Sequence, residues 1–320
     1  MTFTKWLALL IAALTASMAA AQQYPARSIR LVVGFPPGAG TDTIARLLGQ
    51  KLGESWGQQV IVDNRAGATG MIGANIVAKS PPDGYTLLMG HVNSQAIAPS
   101  LVQKPLYDPL RDFASIAYIG YDPNVLVVHP STPARNFKEL IALAKARPGE
   151  LTFASSGIGS TNHLAGEMLM RATGVTLVHV PYKGGGAAII DQLAGNIVMN
   201  FNALSSVVNY IALGKMRPLA VTNMERASHL PNVPTLRELG LKDFDVTNWY
   251  GIVAPAATSK EIIFKLNAEL NRIMQQDAKS RLDELGIRLN PVTPEKFTEY
   301  LQTEIAKYQK VAKETGIRMD

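Results

Sequence analysis

Two loops about 120 residues apart carry the same arrangement of residues. Phe35-Pro36-Pro37-Gly38-Ala39-Gly40-Thr41-Asp42 and Ser155-Ser156-Gly157-Ile158-Gly159-Ser160-Thr161-Asn162 each place Gly-x-Gly before hydroxyl and polar residues at a predicted helix start. A helix start exposes N–H groups that have no partner within the helix, and the aligned peptide dipoles make it partly positive. Glycine lets the backbone come close to a ligand. Thr41, Asp42, Ser160 and Thr161 can cap the helix or donate side-chain hydrogen bonds. This chemistry suits reversible binding of a carboxylate or phosphate. Two well-capped helices that hold no ligand fit the same residues. Nucleotide binding has weak support, because Thr43 and Asn162 stand where G-x-G-x-x-G needs its third glycine.

A third segment, His179–Ala194, reads HVPYKGGGAAIIDQLA and opens another predicted helix at Gly184-Gly185-Gly186. Tyr182 and the glycine amides suit a ligand rim, and they equally suit a tight strand-to-helix turn. Constellations for catalysis are poor. Ser156 with His163 can be drawn as nucleophile and base, but a histidine so close in the same helix ordinarily points elsewhere. No G-x-S-x-G elbow occurs. His91, His129, His163, His179 and His229 are scattered without an H-x-x-x-H pair, and cysteine is absent. Neither a metal site nor a cofactor is therefore expected.

These loops need elements to hold them. Strands are expected at Ser28–Gly34, Gln59–Asp63, Tyr85–Gly90, Val125–His129, Leu151–Ala154, Leu177–Val180, Ile197–Phe201 and Leu219–Thr222. Helices are expected at Thr43–Leu52, Gly70–Lys79, Phe137–Ala146, His163–Thr173, Ala187–Ala194, Lys260–Gln276 and Pro294–Glu314. Strands alternating with helices imply an α/β fold with parallel sheets. In such sheets ligands lie beyond the C-terminal strand ends, where the glycine loops fall.

The chain has 320 residues and a net charge of +6, with its 31 Lys and Arg dispersed. A nucleic-acid face would cluster them among aromatics, so nucleic acid is not an expected partner. Lys5, the apolar run Trp6–Leu14 and Ala19-Ala20-Ala21 form a secretory signal, with cleavage expected after Ala21. An uncleaved anchor is the alternative, although the apolar run is short of the ~20 residues that span a bilayer. The mature product is expected to be exported and soluble.

Several strings, in order and spacing, resemble one family. They are IRLVVGFPPGAGTDTIARLL, VIVDNRAGATGMIGA, PPDGYTLLMG, LTFASSGIGSTNHLAGE, VHVPYKGGGAAIIDQLAGN, RPLAVTN, LPNVPTLRELG and NWYGIVAP. The family is Bug/TctC, the extracytoplasmic solute receptors of tripartite tricarboxylate transporters. The resemblance implies a type II periplasmic binding protein of the Venus-flytrap kind, with two α/β lobes, a hinge and an interlobe cleft. It implies lobe 1 at residues 22–122 plus about 246–320, and lobe 2 at about 123–245, after the signal peptide 1–21. It also implies a monomer that delivers a small carboxylate to membrane permease subunits. A periplasmic sensor lobe would use the same clamshell, and an enzyme would use the loops as an anion hole.

By motif, the resemblance carries ligand contact to Phe35, Pro36, Gly38, Gly40, Thr41 and Asp42 in the first loop. In the second it carries it to Ser155, Ser156, Gly157, Gly159, Ser160, Thr161 and His163. Tyr182 and Gly184 join from the third segment. The sequence departs from the family at Asn202, where many members hold an acid that can receive a ligand ammonium. A neutral amide there disfavours an amino-acid ligand; a simple turn or cap role fits Asn202 as well.

Overall fold

Ile29–Val33 reads IRLVV and is buried at every position but Arg30. A strand without a polar face needs cover on both sides, as in a parallel sheet. The computed structural model describes residues 24–319 apart from Asp243, so the targeting segment at 1–21 lies outside the described residues. Ile29–Val33 forms β1. Ile29, Leu31 and Val33 enter one apolar cluster and Val32 enters a second, because successive side chains leave a strand on opposite faces.

After β1 come α1 (Gly40–Trp56), β2 (Val60–Asn64), α2 (Met71–Ala78) and β3 (Thr86–His91). A π turn (Asn93–Ile97) runs into α3 (Ala98–Leu101), and β4 spans Phe113–Val128. Then follow α4 (Phe137–Ala146), β5 (Thr152–Ser155), α5 (Thr161–Thr173), β6 (Val178–Pro181), α6 (Gly185–Leu193) and β7 (Met199–Ala203). The chain continues through α7 (Leu204–Ala212), β8 (Arg217–Val221), β9 (Thr247–Pro255) and α8 (Lys260–Gln275). It ends with α9 (Lys279–Glu284), β10 (Arg288–Leu289) and α10 (Pro294–Thr315). Among the described residues no helix is long and apolar enough to cross a membrane.

The strand order is β2-β1-β3-β9-β4-β7-β5-β6, with β8 and β10 also on β4. β1 pairs parallel with β2 and β3, and β5 with β6 and β7. The sheet is nevertheless mixed, because β9 and β4 run antiparallel to their neighbours. A strand was expected only at Val125–His129, but β4 is 16 residues long and begins at Phe113. Its first part, to Pro123, pairs with β9; from Asn124 it pairs with β7 and β8. The chain therefore passes between two lobes within one strand. It returns where Val246, in the second lobe's apolar cluster, precedes Thr247 of β9. The two crossings are tied to each other. Asn124 Nδ2 donates to Val246 O at 3.2 Å, and Asn248 Nδ2 donates to Asn124 Oδ1 at 3.0 Å.

Three helices start earlier than their apolar periodicity indicates. α1 begins at Gly40, α5 at Thr161 and α6 at Gly185, each two or three residues ahead of expectation. An apolar repeat begins only where a helix meets the core. In these helices the leading pairs, Gly40-Thr41, Thr161-Asn162 and Gly185-Gly186, lie at the line between the lobes and consist of glycine, threonine and asparagine.

Candidate functional site

Asp42 organises the first loop. Its Oδ2 accepts from Gly38 N at 3.0 Å and Arg46 Nε at 3.0 Å, and its Oδ1 accepts from Asn64 Nδ2 at 2.8 Å. Burial pushes the carboxyl up, but the bonds from Arg46, Gly38 and Asn64 hold it below the usual carboxylate range. Gly38 turns the chain with φ +84°, a left-handed value that glycine adopts freely. The result places Phe35, Gly40 and Thr41 at the cleft.

The second loop is held by two imidazoles. Ser160 caps α5 by accepting from His163 N at 3.4 Å, and its hydroxyl donates to Gly157 O at 2.7 Å. Gly159 N donates to His163 Nδ1 at 3.2 Å, so that nitrogen carries no proton. The His163 ring stacks on His179 at 4.2 Å, and His179 stacks on Phe153 at 4.8 Å. Burial, with His179 alongside, pulls His163 down to about 4, so both act as neutral rings near pH 7. His179 Nε2 lies 2.6 Å from Ser155 Oγ, but Ser155 has no exposed surface. That pair supports the loop from behind.

A cavity of about 50 Å³ lies between the lobes. From the expected set, Phe35, Gly40, Thr41, Ser156, Thr161 and Asn202 line it. Pro36, Gly38, Asp42, Ser155, Gly157, Gly159, Ser160, His163, Tyr182 and Gly184 do not reach the wall. Gly159 lies at another contact: a Cβ there would meet Met319 and Leu101. Tyr182 donates to Asp191 at 2.6 Å on α6. Gly184 packs so closely on Pro36 that a Cβ would be 2.6 Å from the proline ring.

Sequence reasoning missed His91, Asn93, Asn162, Ser206, Asn248 and Tyr250, which complete much of the wall. His91 ends β3, and the rule that ligands lie beyond strand ends points to it. Asn248 and Tyr250 stand in the string NWYG but on a strand that periodicity did not reveal. His91 is buried between Phe35 and Tyr250, with ring centroids 5.2 Å from each. Burial lowers it to about 3, and its Nδ1 accepts from Asn93 N at 3.1 Å, so it is neutral.

The lobes touch across the cavity. Gly40 N donates to Ser206 Oγ at 3.1 Å, Thr161 N to Asn93 Oδ1 at 3.1 Å, and Thr69 Oγ1 to Ile158 O at 2.7 Å. Thr161 Oγ1 also donates to the hinge residue Asn248 at 2.9 Å. At the floor, Asn162 Nδ2 donates to Phe201 O, and Asn202 accepts from Asn200 at 3.0 Å while donating to Gln192 Oε1 at 3.0 Å. The N-termini of α1, α5 and α6 thus converge through Gly40, Thr41, Thr161, Asn162 and Gly185. Among the described residues no Lys, Arg, Asp or Glu lines the cavity.

A larger open groove of about 750 Å³ includes Tyr121, Pro123, Thr247 and Arg288. Tyr121, Pro123 and Thr247 alternate along the hinge strands with Asp122, Asn248 and Tyr250, so the groove lies on the opposite face. Its charges are paired, as Arg288 with Glu225 at 2.9 Å and Lys279 with Asp283. The small cavity, with its converging helix ends, is the better candidate for holding an anion.

Residues 44–317 match the sequence profile described as tripartite tricarboxylate transporter family receptor. BugT of Bordetella pertussis is 38% identical across all of both chains. The R. palustris protein Rpa4515, solved with adipate, is 35% identical with a TM-score of 0.89, covering 92% of this chain and 99% of its own. MatC from Rhodopseudomonas palustris, solved with bound malate, is 31% identical with a TM-score of 0.83, covering 90% and 99%. The architecture is that of these two-lobed binding proteins.

Proposed function

The chain belongs to the tripartite tricarboxylate transporter receptor family, and from that premise we propose that it is an extracytoplasmic receptor for a small carboxylate. It closes its lobes on the solute and hands it to the membrane subunits of such a transporter. The observation that carries this reading is the cavity wall: three helix N-termini converge on it, with hydroxyls and amides and, among the described residues, no charged side chain. Partial charges and neutral donors hold an anion without a fixed counter-charge and release it without chemistry. We read the protein as a binder and not an enzyme: the Ser155–His179 pair is buried behind the loop, and the other close Ser–His pairs among the described residues, Ser131–His129 and Ser228–His229, lie away from the cavity wall. The relatives solved with adipate and malate favour the same ligand class.

The ligand is a plain or aromatic mono- or dicarboxylate in preference to an α-amino acid. Asn202 and its partners Asn200 and Gln192 are neutral amides. An ammonium beside them in a closed cleft bears a desolvation cost of several kcal/mol. Closure is driven by the ligand's higher affinity for the closed form. We take the lobes to divide at 122/123, inside β4, and at about 245/246, just ahead of β9, each within a residue or two of where β4 changes partners and β9 begins. The chain is exported, cleaved after Ala21, and works as a periplasmic monomer.

The test is a thermal-shift panel of adipate, malate, benzoate and glutamate on protein recovered from the periplasm, with its intact mass measured. A ligand at 100 times its Kd stabilises by about 2.7 kcal/mol. A carboxylate without an amino group is expected to raise Tm most. No response to any carboxylate, or a dominant response to glutamate, refutes the reading.

A further inference from the structure

Asp122 is a carboxylate with no exposed surface, on β4 where that strand passes between the lobes. Among the described residues no cation is hydrogen-bonded to it. Its Oδ2 accepts from Ser205 N at 2.7 Å, at the start of α7, and its Oδ1 accepts from the Tyr250 hydroxyl at 3.1 Å. Ser205 Oγ lies 3.2 Å from the same hydroxyl. Tyr250 lines the cavity, and Ser206, next to Ser205, accepts the interlobe bond from Gly40. The carboxylate therefore stands one residue behind the ligand site and touches both sides of the closure.

We propose that Asp122 is a positioning residue for the bound carboxylate: it sets the direction in which Tyr250 donates, and a proton taken up on ligand binding turns that hydroxyl toward the cavity. This inference rests on the receptor reading above.

The reason is the count of hydrogens. A phenol has one. While Asp122 is ionised, the Tyr250 proton is committed to Oδ1 in a charge-assisted bond, and the Tyr250 oxygen can only accept. The cavity then lacks a donor at that wall, and a buried negative charge lies behind an anion site. When Asp122 binds a proton from solvent, Oδ1–H donates to the Tyr250 oxygen and Oδ2 still accepts from Ser205 N. The Tyr250 hydrogen is released to a ligand oxygen. One proton is consumed and no other bond is lost. Burial supports the exchange by pushing Asp122 up to about 7.

The groups facing Asp122 do not supply the proton. Tyr250, on β9, is held well above its usual value by burial and by Asp122, and it remains a phenol. His91, on β3 beyond Tyr250, is pulled down to about 3 by burial and stays neutral. Ser205 on α7 and Asn248 on β9 do not titrate. Arg288 and Glu225 pair in the groove on the other face. Asp42, on α1, is engaged by Arg46, Gly38 and Asn64.

The test uses the mature chain, Asp122→Asn and Tyr250→Phe, with adipate and malate as probes. Asparagine imitates the protonated state, since its amide donates to Tyr250 while its oxygen accepts from Ser205 N. Titration calorimetry at pH 6, 7 and 8, in buffers of different ionisation enthalpy, reads proton uptake. The expected wild-type result is a fractional proton taken up per ligand at pH 7 to 8, with affinity falling towards tenfold per pH unit above 7. Asp122→Asn is expected to bind without uptake, independent of pH, at least as tightly as wild type at pH 6. Tyr250→Phe is expected to lose affinity chiefly at pH 6. Binding without proton uptake in wild type, or uptake that persists in Asp122→Asn, overturns the proposal. A ligand-free infrared titration, wild type minus Asp122→Asn, reads the neutral carboxyl band directly. A band that disappears as pH rises through neutrality supports the Asp122 proton even where no carboxylate binds, an outcome that refutes the receptor reading alone. Absence of that band from pH 5 to 8 overturns the proposal whatever binds.

Discussion

Gly40 offers a way to separate closure from folding. It is the first residue of α1 and lines the cavity. A Cβ added there would overlap Ser205 Oγ and lie 3.0 Å from Ser206 Oγ, both in the opposite lobe. Gly40 does not use the left-handed backbone, so alanine brings no strain of its own. In the closed form both serine hydroxyls must rotate away. That breaks the bond from Gly40 N to Ser206 Oγ and the contact of Ser205 Oγ with Tyr250. Each bond contributes about 1 kcal/mol, so Gly40→Ala penalises closure by about 2 kcal/mol. The expected loss of affinity is therefore about 30-fold. With the lobes apart the clash is absent, and alanine in a helix is up to about 1 kcal/mol better than glycine. The ligand-free Tm should be unchanged or higher. Calorimetric titration with the carboxylate that most raises wild-type Tm, together with a ligand-free melting curve, tests both halves. Unchanged affinity, or affinity and ligand-free Tm falling together, refutes the reasoning.

Two more outcomes follow from the same geometry. Asn202→Asp places a carboxylate where Asn202 now donates to Gln192 Oε1; a buried charge with one neutral donor, Asn200, and an oxygen facing it raises its own pKa, so the variant should lose stability as pH rises from 4 towards 8, by about 2 to 4 kcal/mol at the upper end. Glutamate should raise its Tm more than that of wild type, and a Tm equal to wild type at both pH 5 and pH 8 would contradict the burial argument. His163 is lowered from 6.5 to about 4, so its unfolded form binds a proton first; stability is complete above pH 6.5 and is lost as pH falls to 4, by about 3 kcal/mol. Melting curves from pH 7 to 4 should therefore be shallower for His163→Gln, and identical slopes would show that the ring is not buried neutral.

The sequence by itself determined the alternation of elements, because apolar periodicity reports which side of a helix or strand meets the core. IRLVV had to be a strand covered on both faces, and the lobes grew around such strands. It also determined the kind of chemistry, since Gly-x-Gly with Thr, Asp or Ser at a helix start can do little beyond presenting backbone donors. The order and spacing of whole strings pointed to the family. The tertiary structure alone decided which of these residues face the interlobe cavity. Gly40 and Gly159 occupy equivalent positions in their loops, yet one lines the cavity and the other rests on Met319 and Leu101. Asp42 and His163 look like ligand groups in the sequence, and each is engaged in holding its own loop. The hinge was hidden for a related reason. β4 and β9 are buried in both lobes, so their pattern carries no period. Asp122 lies far in sequence from Asn248 and Tyr250, and only strand pairing brings it to them. Periodicity encodes burial; the direction of a side chain within a cleft depends on contacts between residues that local sequence does not relate.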